Sequence, residues 1–239
     1  GTTRGGVALA GSAVGPRVVD GLGRLQVHRQ VFDVYDHGEA QPVVALGADG
    51  MAGVVWRTGP VAVSAGPRGR VDAVGDARWW GAGGDVSVSA RMGPVWTAQL
   101  LGTAIGGNTR QVRLGGDLRR VPAGSGLATR LVVDGNALEE GVPVWWRPTA
   151  GGGQVLRHAP LGRFRGPLLG AAVVEWRQAV AGPLTLTVFG ESAWLAGLHG
   201  GGGGGLLLDL PPKPSNRVRF DVAWGDGGLG VSGGIGAAF

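Results

Sequence analysis

The stretch from Asn216 to Phe239 constrains the fold of this chain more than any other, because its side chains alternate between two chemical classes. A short turn at 226–228 joins two alternating runs. One set of alternate positions is apolar: Val218, Phe220, Val222, Trp224, Leu229, Val231, Ile235 and Phe239. The other set is charged or small: Arg217, Arg219, Asp221, Ala223, Gly230, Ser232, Gly234 and Gly236. A period of two indicates β-strands, since successive side chains leave opposite faces of the pleated backbone.

The distribution of residues over these two faces indicates a membrane-spanning strand. Large aromatic and branched residues cover one face, whereas ions and bare glycine cover the other. Such a strand suits a sheet with lipid on its outer side and a polar or narrow interior. We therefore expect the apolar positions to contact lipid. The same alternation recurs upstream, in the runs Val86–Arg91 and Val112–Arg119.

Length and composition agree with an all-β fold. The chain has 239 residues, enough for one barrel or one large sandwich, and its 50 glycines disfavour helices. Gly-Pro pairs are predicted to mark strand ends. No stretch of the sequence approaches the ~20 consecutive apolar residues that a helical membrane span needs. We predict that residues 1–239 form one domain, a closed antiparallel transmembrane β-barrel of about 16 strands, with a range from about 12. The nine tryptophans fit membrane interfaces, although the core of a soluble β-protein would also hold them.

The composition also argues against several classes of function. The net charge is +5, but the arginines are spread singly instead of in basic clusters, so we expect no nucleic-acid partner. There is no cysteine, and the four histidines share no metal-ligand spacing. A G-x-S-x-G match at Gly230–Gly234 lies in the terminal strand with no histidine after it, unlike the nucleophile of a hydrolase. We therefore expect a protein that is not an enzyme, with no catalytic residue, no cofactor and no metal.

The longest irregular stretch, Pro148–Pro167, is predicted to fold inward. A loop of ~20 residues in a compact domain is usually functional or disordered. This loop carries three arginines: Arg157, Arg163 and Arg165. Alternation in the runs that follow places three more charged residues on the ionic face: Glu175, Arg177 and Glu191. A carboxylate in a narrow lumen is poorly solvated, so we expect these acids to pair with loop arginines.

Several short sequence segments between Arg110 and Phe239 resemble segments of a known protein family. They are DLRR at 117–120, GVPVWWRPTAGGGQVLR at 141–157, GRFRG at 162–166, VEWR at 174–177, VFGESA at 188–193 and PPKPSNRVRFDVAWG at 211–225, with phenylalanine at the end. In these segments the chain resembles the bacterial surface antigen family. This family comprises the barrel domain of BamA- and TamA-type outer-membrane insertases and of two-partner secretion transporters. Residues 1–100 resemble the family only in their general strand pattern.

The resemblance implies a loop held in the lumen by ion pairs, which we call the lock. The family's loop carries Val/Ile/Leu-Arg-Gly-Phe/Tyr, whereas this chain has Leu-Arg-His-Ala at 156–159. By position, Arg157 pairs with Glu191. The other members of the predicted lock are Arg177 and Glu175, the latter near Arg163 or Arg165. Because histidine and alanine replace the glycine and the aromatic residue, we expect the loop tip to sit differently and the lock to be looser.

The resemblance further implies a protein of the bacterial outer membrane. Its role would be outer-membrane protein assembly, translocation, or structural membership in an envelope complex. Its partners would be outer-membrane lipid and other envelope proteins, including a separate periplasmic or POTRA-bearing chain, because barrel-like runs leave no room here for a POTRA domain. Two alternatives stay open: a passive outer-membrane pore for small solutes, and a soluble β-sandwich binding module.

Overall fold

The computed structural model describes residues 2–13, 19–36, 39–138, 146–151, 155–159, 163–210 and 217–235. Within these ranges the chain is all-β, and none of the described segments is a helix long and apolar enough to cross a membrane. The strands are β1 Thr2–Ala13, β2 Val19–Asp36, β3 Glu39–Thr58, β4 Val61–Val74, β5 Ala77–Met92, β6 Trp96–Gly107, β7 Gln111–Arg120, β8 Gly126–Leu138, β9 Thr149–Ala150, β10 Phe164–Arg165, β11 Leu168–Ala181, β12 Leu184–Trp194, β13 Leu198–Asp209, β14 Arg217–Gly225 and β15 Gly228–Ile235.

Thirteen of these strands form one large antiparallel sheet. Its order follows the chain from β1 to β8 and then from β11 to β15, while β9 and β10 pair separately. Among the described residues, β1 pairs with β2 and β15 pairs with β14, and no pairing joins β1 to β15. Closure into a barrel therefore stays a prediction, and the count of about 16 strands is not confirmed.

The chain divides into two compact units. The first unit comprises Gly1–Ala90, Leu100–Leu114 and Asn136–Trp146. The second unit comprises Arg91–Gln99, Gly115–Gly135 and Arg147–Phe239. Long strands such as β6 contribute residues to both units, and the residues of the predicted lock all belong to the second.

Glycine residues do not mark strand ends consistently in this chain. Gly47 and Gly50 lie inside the long strand β3. Gly75 adopts a φ of 55° in the turn between β4 and β5. The glycine run 200–205 lies within β13 and pairs with both β12 and β14. Glycine residues thus lie in a turn at one position and within a strand at another.

In the second unit, burial alternates along the strands with charge on the buried face. On β11, Val173, Glu175 and Arg177 are buried, whereas Val174 and Trp176 are exposed. This distribution is the reverse of that in a soluble protein, where charged residues are almost never fully buried unless they are paired. The buried ions must therefore have partners within the unit.

Of the residues predicted to contact lipid, five are exposed: Phe220, Val222, Trp224, Leu229 and Val231. Val218 is half-buried, while Phe239 and the side chain of Ile235 lie outside what the structure describes. The register pairs Val222 with Val231 and Trp224 with Leu229, so apolar side chains of β14 and β15 meet on the exposed face. Contact of this face with lipid stays a prediction.

Candidate functional site

The loop Pro148–Pro167 has a hairpin at its base. Strands β9 and β10 are antiparallel, with Phe164 opposite Ala150 and Arg165 opposite Thr149. The amide of Gly166 donates to the carbonyl of Pro148 at 3.3 Å and closes the base. The two legs of the loop therefore run side by side, and the described tip, residues 155–159, lies between them in sequence.

The tip is a tight turn packed into a small apolar cluster. The amide of Ala159 donates to the carbonyl of Leu156 at 3.0 Å, and Leu156 adopts a φ of 57°, a conformation uncommon for a side chain of this size. Such a conformation persists only where surrounding contacts impose it. The fully buried Leu156 packs within a cluster formed by Ala150, Val155, Leu156, Ala159, Leu169, Ala193 and Leu195.

Glycines on β13 and β15 allow the tip to lie directly on the sheet. A Cβ atom at Gly201 would lie 2.4 Å from Nδ1 of His158, and one at Gly230 would lie 2.6 Å from the Cα atom of His158. A Cβ atom at Gly225 would lie 2.7 Å from Cε1 of the same ring. No side chain fits at such distances, so the glycine run in β13 is explained in part by contact with the loop.

Arg157 at the tip meets three carboxylates of the sheet. Its Nη1 donates to Oε2 of Glu175 at 3.0 Å, and its Nε lies 3.5 Å from Oε2 of Glu191. Its backbone amide donates to Oε1 of Glu191, and its Nη1 lies 3.7 Å from Oδ2 of Asp221. The structure thus brings Arg157 and Glu191 together, and the nearest carboxylate to the guanidinium is that of Glu175.

Glu175 lies at the centre of the ion pairs. Arg177 donates from Nε to its Oε1 at 2.8 Å, and Arg219 donates from Nη2 to its Oε2 at 2.5 Å. Together with Arg157, three guanidinium groups therefore surround one carboxylate. We call the set of Arg157, Arg177, Arg219, Glu175, Glu191 and Asp221 the ionic cluster; all six side chains are buried.

The ionic cluster balances three positive and three negative charges among buried side chains. Buried ions are costly unless they are paired and hydrogen-bonded, and removing one partner leaves an uncompensated charge. The guanidinium of Arg157 also lies 3.8 Å from the ring centroid of Phe189, which adds a cation–π contact. Each carboxylate in the cluster faces a guanidinium, so the arrangement is suited to holding the loop.

The cations around Glu175 come from the loop tip and from two strands of the sheet. Arg163 and Arg165 lie at the base hairpin, where Arg163 is exposed and Arg165 is opposite Thr149 on β9. The third cation is Arg219 of β14, which reaches Glu175 across the buried face. The cations that contact Glu175 in the described residues are Arg157, Arg177 and Arg219, so the proximity of Arg163 or Arg165 to Glu175 stays a prediction.

His158 provides contacts that the sequence did not predict. Its side chain is fully buried, with Nε2 at 3.0 Å from Oδ1 of Asp226 and Nδ1 at 3.6 Å from Oε1 of Glu191. The other oxygen of Asp226 lies 2.8 Å from Nδ1 of His199. The ring of His199 stacks on Phe164 with centroids 3.9 Å apart. Histidine at this position thus ties the tip to the β14–β15 turn, and a looser lock stays a prediction.

Asp226 is the acceptor that joins the two histidines. Partial burial raises the pKa of Asp226, but hydrogen bonds from His199 and His158 outweigh it and hold that pKa below its usual value. The sequence indicated Asp226 only as a turn residue. Its pairing with His158 links positions 68 residues apart, and no local pattern signals such a contact.

In the first unit, Trp146 forms a separate polar anchor. Its Nε1 donates to Oδ2 of the buried Asp72 at 2.5 Å, and Arg70 lies 4.5 Å from the centroid of its ring. Its carbonyl accepts hydrogen bonds from Asn136 at 2.7 Å and from Gln111 at 3.3 Å. Trp146 also packs against Ile105 and Trp79, so this buried tryptophan combines apolar contacts with polar partners.

In the described part of the chain, no group of three or more His, Asp or Glu side chains is arranged to hold a metal ion.

Comparison with solved structures finds a similar fold in CdiB from Acinetobacter baumannii. The TM-score is 0.58 at 15% sequence identity, and the match covers 92% of this chain and 47% of the CdiB chain. The chain therefore spans about half the length of that protein, and at this identity the likeness shows the fold alone. No family model and no curated protein matches the sequence.

Proposed function

We propose that this chain is a non-enzymatic outer-membrane β-barrel that acts in protein translocation or assembly. Its lumen would be closed by the loop Pro148–Pro167. The observation that carries this proposal is the ionic cluster, in which Arg157 of the loop tip is buried against Glu175 and Glu191 of the sheet. A loop held by buried ion pairs and by close-fitting glycines is a plug that can be displaced, because ion pairs can exchange for water once the lumen opens.

Three further observations support the proposal. The exposed face of β14 and β15 is apolar while the buried face is ionic, as a lipid-facing strand requires. The large antiparallel sheet resembles the fold of CdiB. Four of the six sequence segments that resemble the bacterial surface antigen family contain the residues of the ionic cluster.

The ion pairs also bear on the role of the lumen. In the second unit, Asp117 pairs with Arg130 at 2.7 Å in addition to the ion pairs of the cluster. In a lumen whose charges are paired, the net electric field on a passing polypeptide segment is small. Such a lumen suits a polypeptide of mixed charge better than it suits one class of ion. Outer-membrane lipid and a separate periplasmic or POTRA-bearing chain are the partners of this proposal.

Planar-bilayer conductance separates this proposal from a passive pore. We expect low, intermittent conductance from the complete chain and a large, steady conductance after deletion of residues 149–166. A large, steady conductance from the complete chain would favour the passive pore. A chain that stays soluble without detergent and does not insert into liposomes would favour the soluble sandwich.

Site-specific crosslinking tests for passage of a polypeptide. Gly234 lies on the same face as Arg219, its register partner, and a Cβ atom there meets nothing within 4 Å, so a photo-crosslinking residue fits. Gly170 is the matched control: it has the same free space but lies opposite the exposed Trp194. We expect crosslinks to polypeptide at Gly234 and not at Gly170, and the reverse pattern would contradict translocation through the lumen.

A further inference from the structure

The imidazole of His158 has a carboxylate at each of its two nitrogen atoms. Asp226 lies 3.0 Å from Nε2, and Glu191 lies 3.6 Å from Nδ1. Glycines of β13, β14 and β15 lie against the ring and leave it no space to move away. The ring is therefore held between two acceptors.

The charge of the ring decides how well it fits between them. A neutral imidazole has one N–H group, so if Nε2 donates to Asp226, the lone pair on Nδ1 faces the Glu191 carboxylate. In agreement, Nδ1 of His158 has no hydrogen-bond partner among the described residues. An imidazolium has two N–H groups, so a proton added at Nδ1 would turn the repulsive contact with Glu191 at 3.6 Å into an attractive one.

Other charged groups pack around the tip from every neighbouring strand. They are Glu175 on β11, Glu191 on β12, His199 on β13, Arg219 and Asp221 on β14, and Asp226 in the β14–β15 turn, together with Arg157 beside the ring; β15 carries no ionisable side chain. Arginine stays protonated at all relevant pH values. Near neutral pH, histidine is the side chain of this set whose charge ordinarily changes.

We propose that His158 makes the hold on the loop tip depend on pH. Protonation of His158 fastens the tip to β12 and to the β14–β15 turn, and loss of that proton weakens both contacts at once. His199 acts in the same direction, because it donates to the second oxygen of Asp226 and stacks on Phe164 of the returning leg. The loop is therefore released more readily at pH 8 than at pH 6. This inference goes beyond the proposed function, since it concerns the loop contacts and needs no transport activity.

Trypsin provides a test with an internal standard. Cleavage after the buried Arg157 requires release of the tip, whereas Arg163 in the same loop is exposed. The ratio of the two initial cleavage rates, measured by mass spectrometry on the complete chain in detergent, cancels the pH dependence of the protease. We expect this ratio to rise about tenfold from pH 6 to pH 8, the size of one charge-assisted hydrogen bond.

Three variants make the test specific. His158→Gln keeps an amide in place of the ring and should make the ratio independent of pH. His199→Gln should reduce the pH dependence without abolishing it, and it serves if the His158 variant fails to fold. A double variant of the remaining histidines, His28→Gln with His37→Gln, should behave as the unaltered chain. A ratio that is flat or falls with pH in the unaltered chain, or that keeps its slope in His158→Gln, would overturn the proposal.

Discussion

The guanidinium of Arg157 lies 3.0 Å from the carboxylate of Glu175, measured from Nη1 to Oε2, and both side chains are buried. The contact joins a loop tip to the centre of a strand, with both charges removed from water. Breaking such a pair leaves one charge without compensation, at a cost of about 3–5 kcal/mol. The hold on the loop therefore depends on a small number of side chains, each of which can be tested separately.

Replacing Arg157 should release the loop. In Arg157→Ala, Glu175 and Glu191 lose a buried cation, and we expect new protease cleavage between Gly151 and Gly166. The matched control is Arg163→Ala, because Arg163 is an exposed arginine of the same loop. Protection of Arg157→Ala equal to that of the unaltered chain would contradict a role for the ionic cluster in holding the loop.

Adding one methyl group beneath the tip should displace it. In Gly230→Ala the new Cβ atom would lie 2.6 Å from the backbone of the tip, which must then move. Hydrogen exchange at the Arg157 amide, which donates to Glu191, should become faster. Gly234→Ala is the control on the same strand and face, where a Cβ atom meets nothing within 4 Å. Equal exchange in the two variants would show that the tip does not rest on β15.

A charge on the apolar face should destabilise the protein according to its depth in the membrane. Val222 lies in the middle of β14 and is 41% exposed, and Val222→Arg should cost about 2–4 kcal/mol of folding free energy in lipid vesicles. Leu229, beside the β14–β15 turn, is the control, and Leu229→Arg should cost about 0–1 kcal/mol. A similar small cost at both positions would indicate that this face does not contact lipid.

The contact between Trp146 and Asp72 should contribute to the stability of the first unit. Trp146→Phe keeps an aromatic ring but removes the N–H donor, and it leaves the buried Asp72 short of a hydrogen bond, at about 1–3 kcal/mol. A double-mutant cycle with Asp72→Ala, measured by denaturant unfolding, should give a coupling energy of similar size. Trp80→Phe, at an exposed position, should change stability little. A coupling energy of zero would show that the hydrogen bond does not stabilise the fold.

Asp226 should make the loop sensitive to acid in a separate pH range. Its pKa in the folded protein lies below the ordinary value of 3.8, so its contribution is complete above that value and is lost as the pH falls through the folded pKa. Because the chain has no cysteine, a single nitroxide label can be attached through Arg163→Cys. The mobile fraction of the label should rise below about pH 4. In Asp226→Asn this acid transition should disappear, and its persistence would assign the transition to another carboxylate.

The local architecture could be predicted from the sequence, because alternation is a property of the single strand. The period of two placed Glu175, Arg177 and Glu191 on one face, and the structure finds all three buried. It placed Phe220 and Val222 on the opposite face, and both are exposed. Strand lengths were less predictable, since the same glycine and proline residues occur in turns and inside long strands such as β3.

The partners across the sheet depended on the tertiary structure alone. Arg219 reaches Glu175 on the buried face although β12 and β13 lie between their strands in the sheet, and 44 residues separate the two in sequence. His158 meets Asp226 because the loop folds back onto glycines whose role is visible only when the tip lies on them. By itself, then, the sequence determined which side chains share a face, since that follows from the backbone of each strand. The tertiary structure decided which charges meet, since that follows from register and loop packing summed over many non-local contacts.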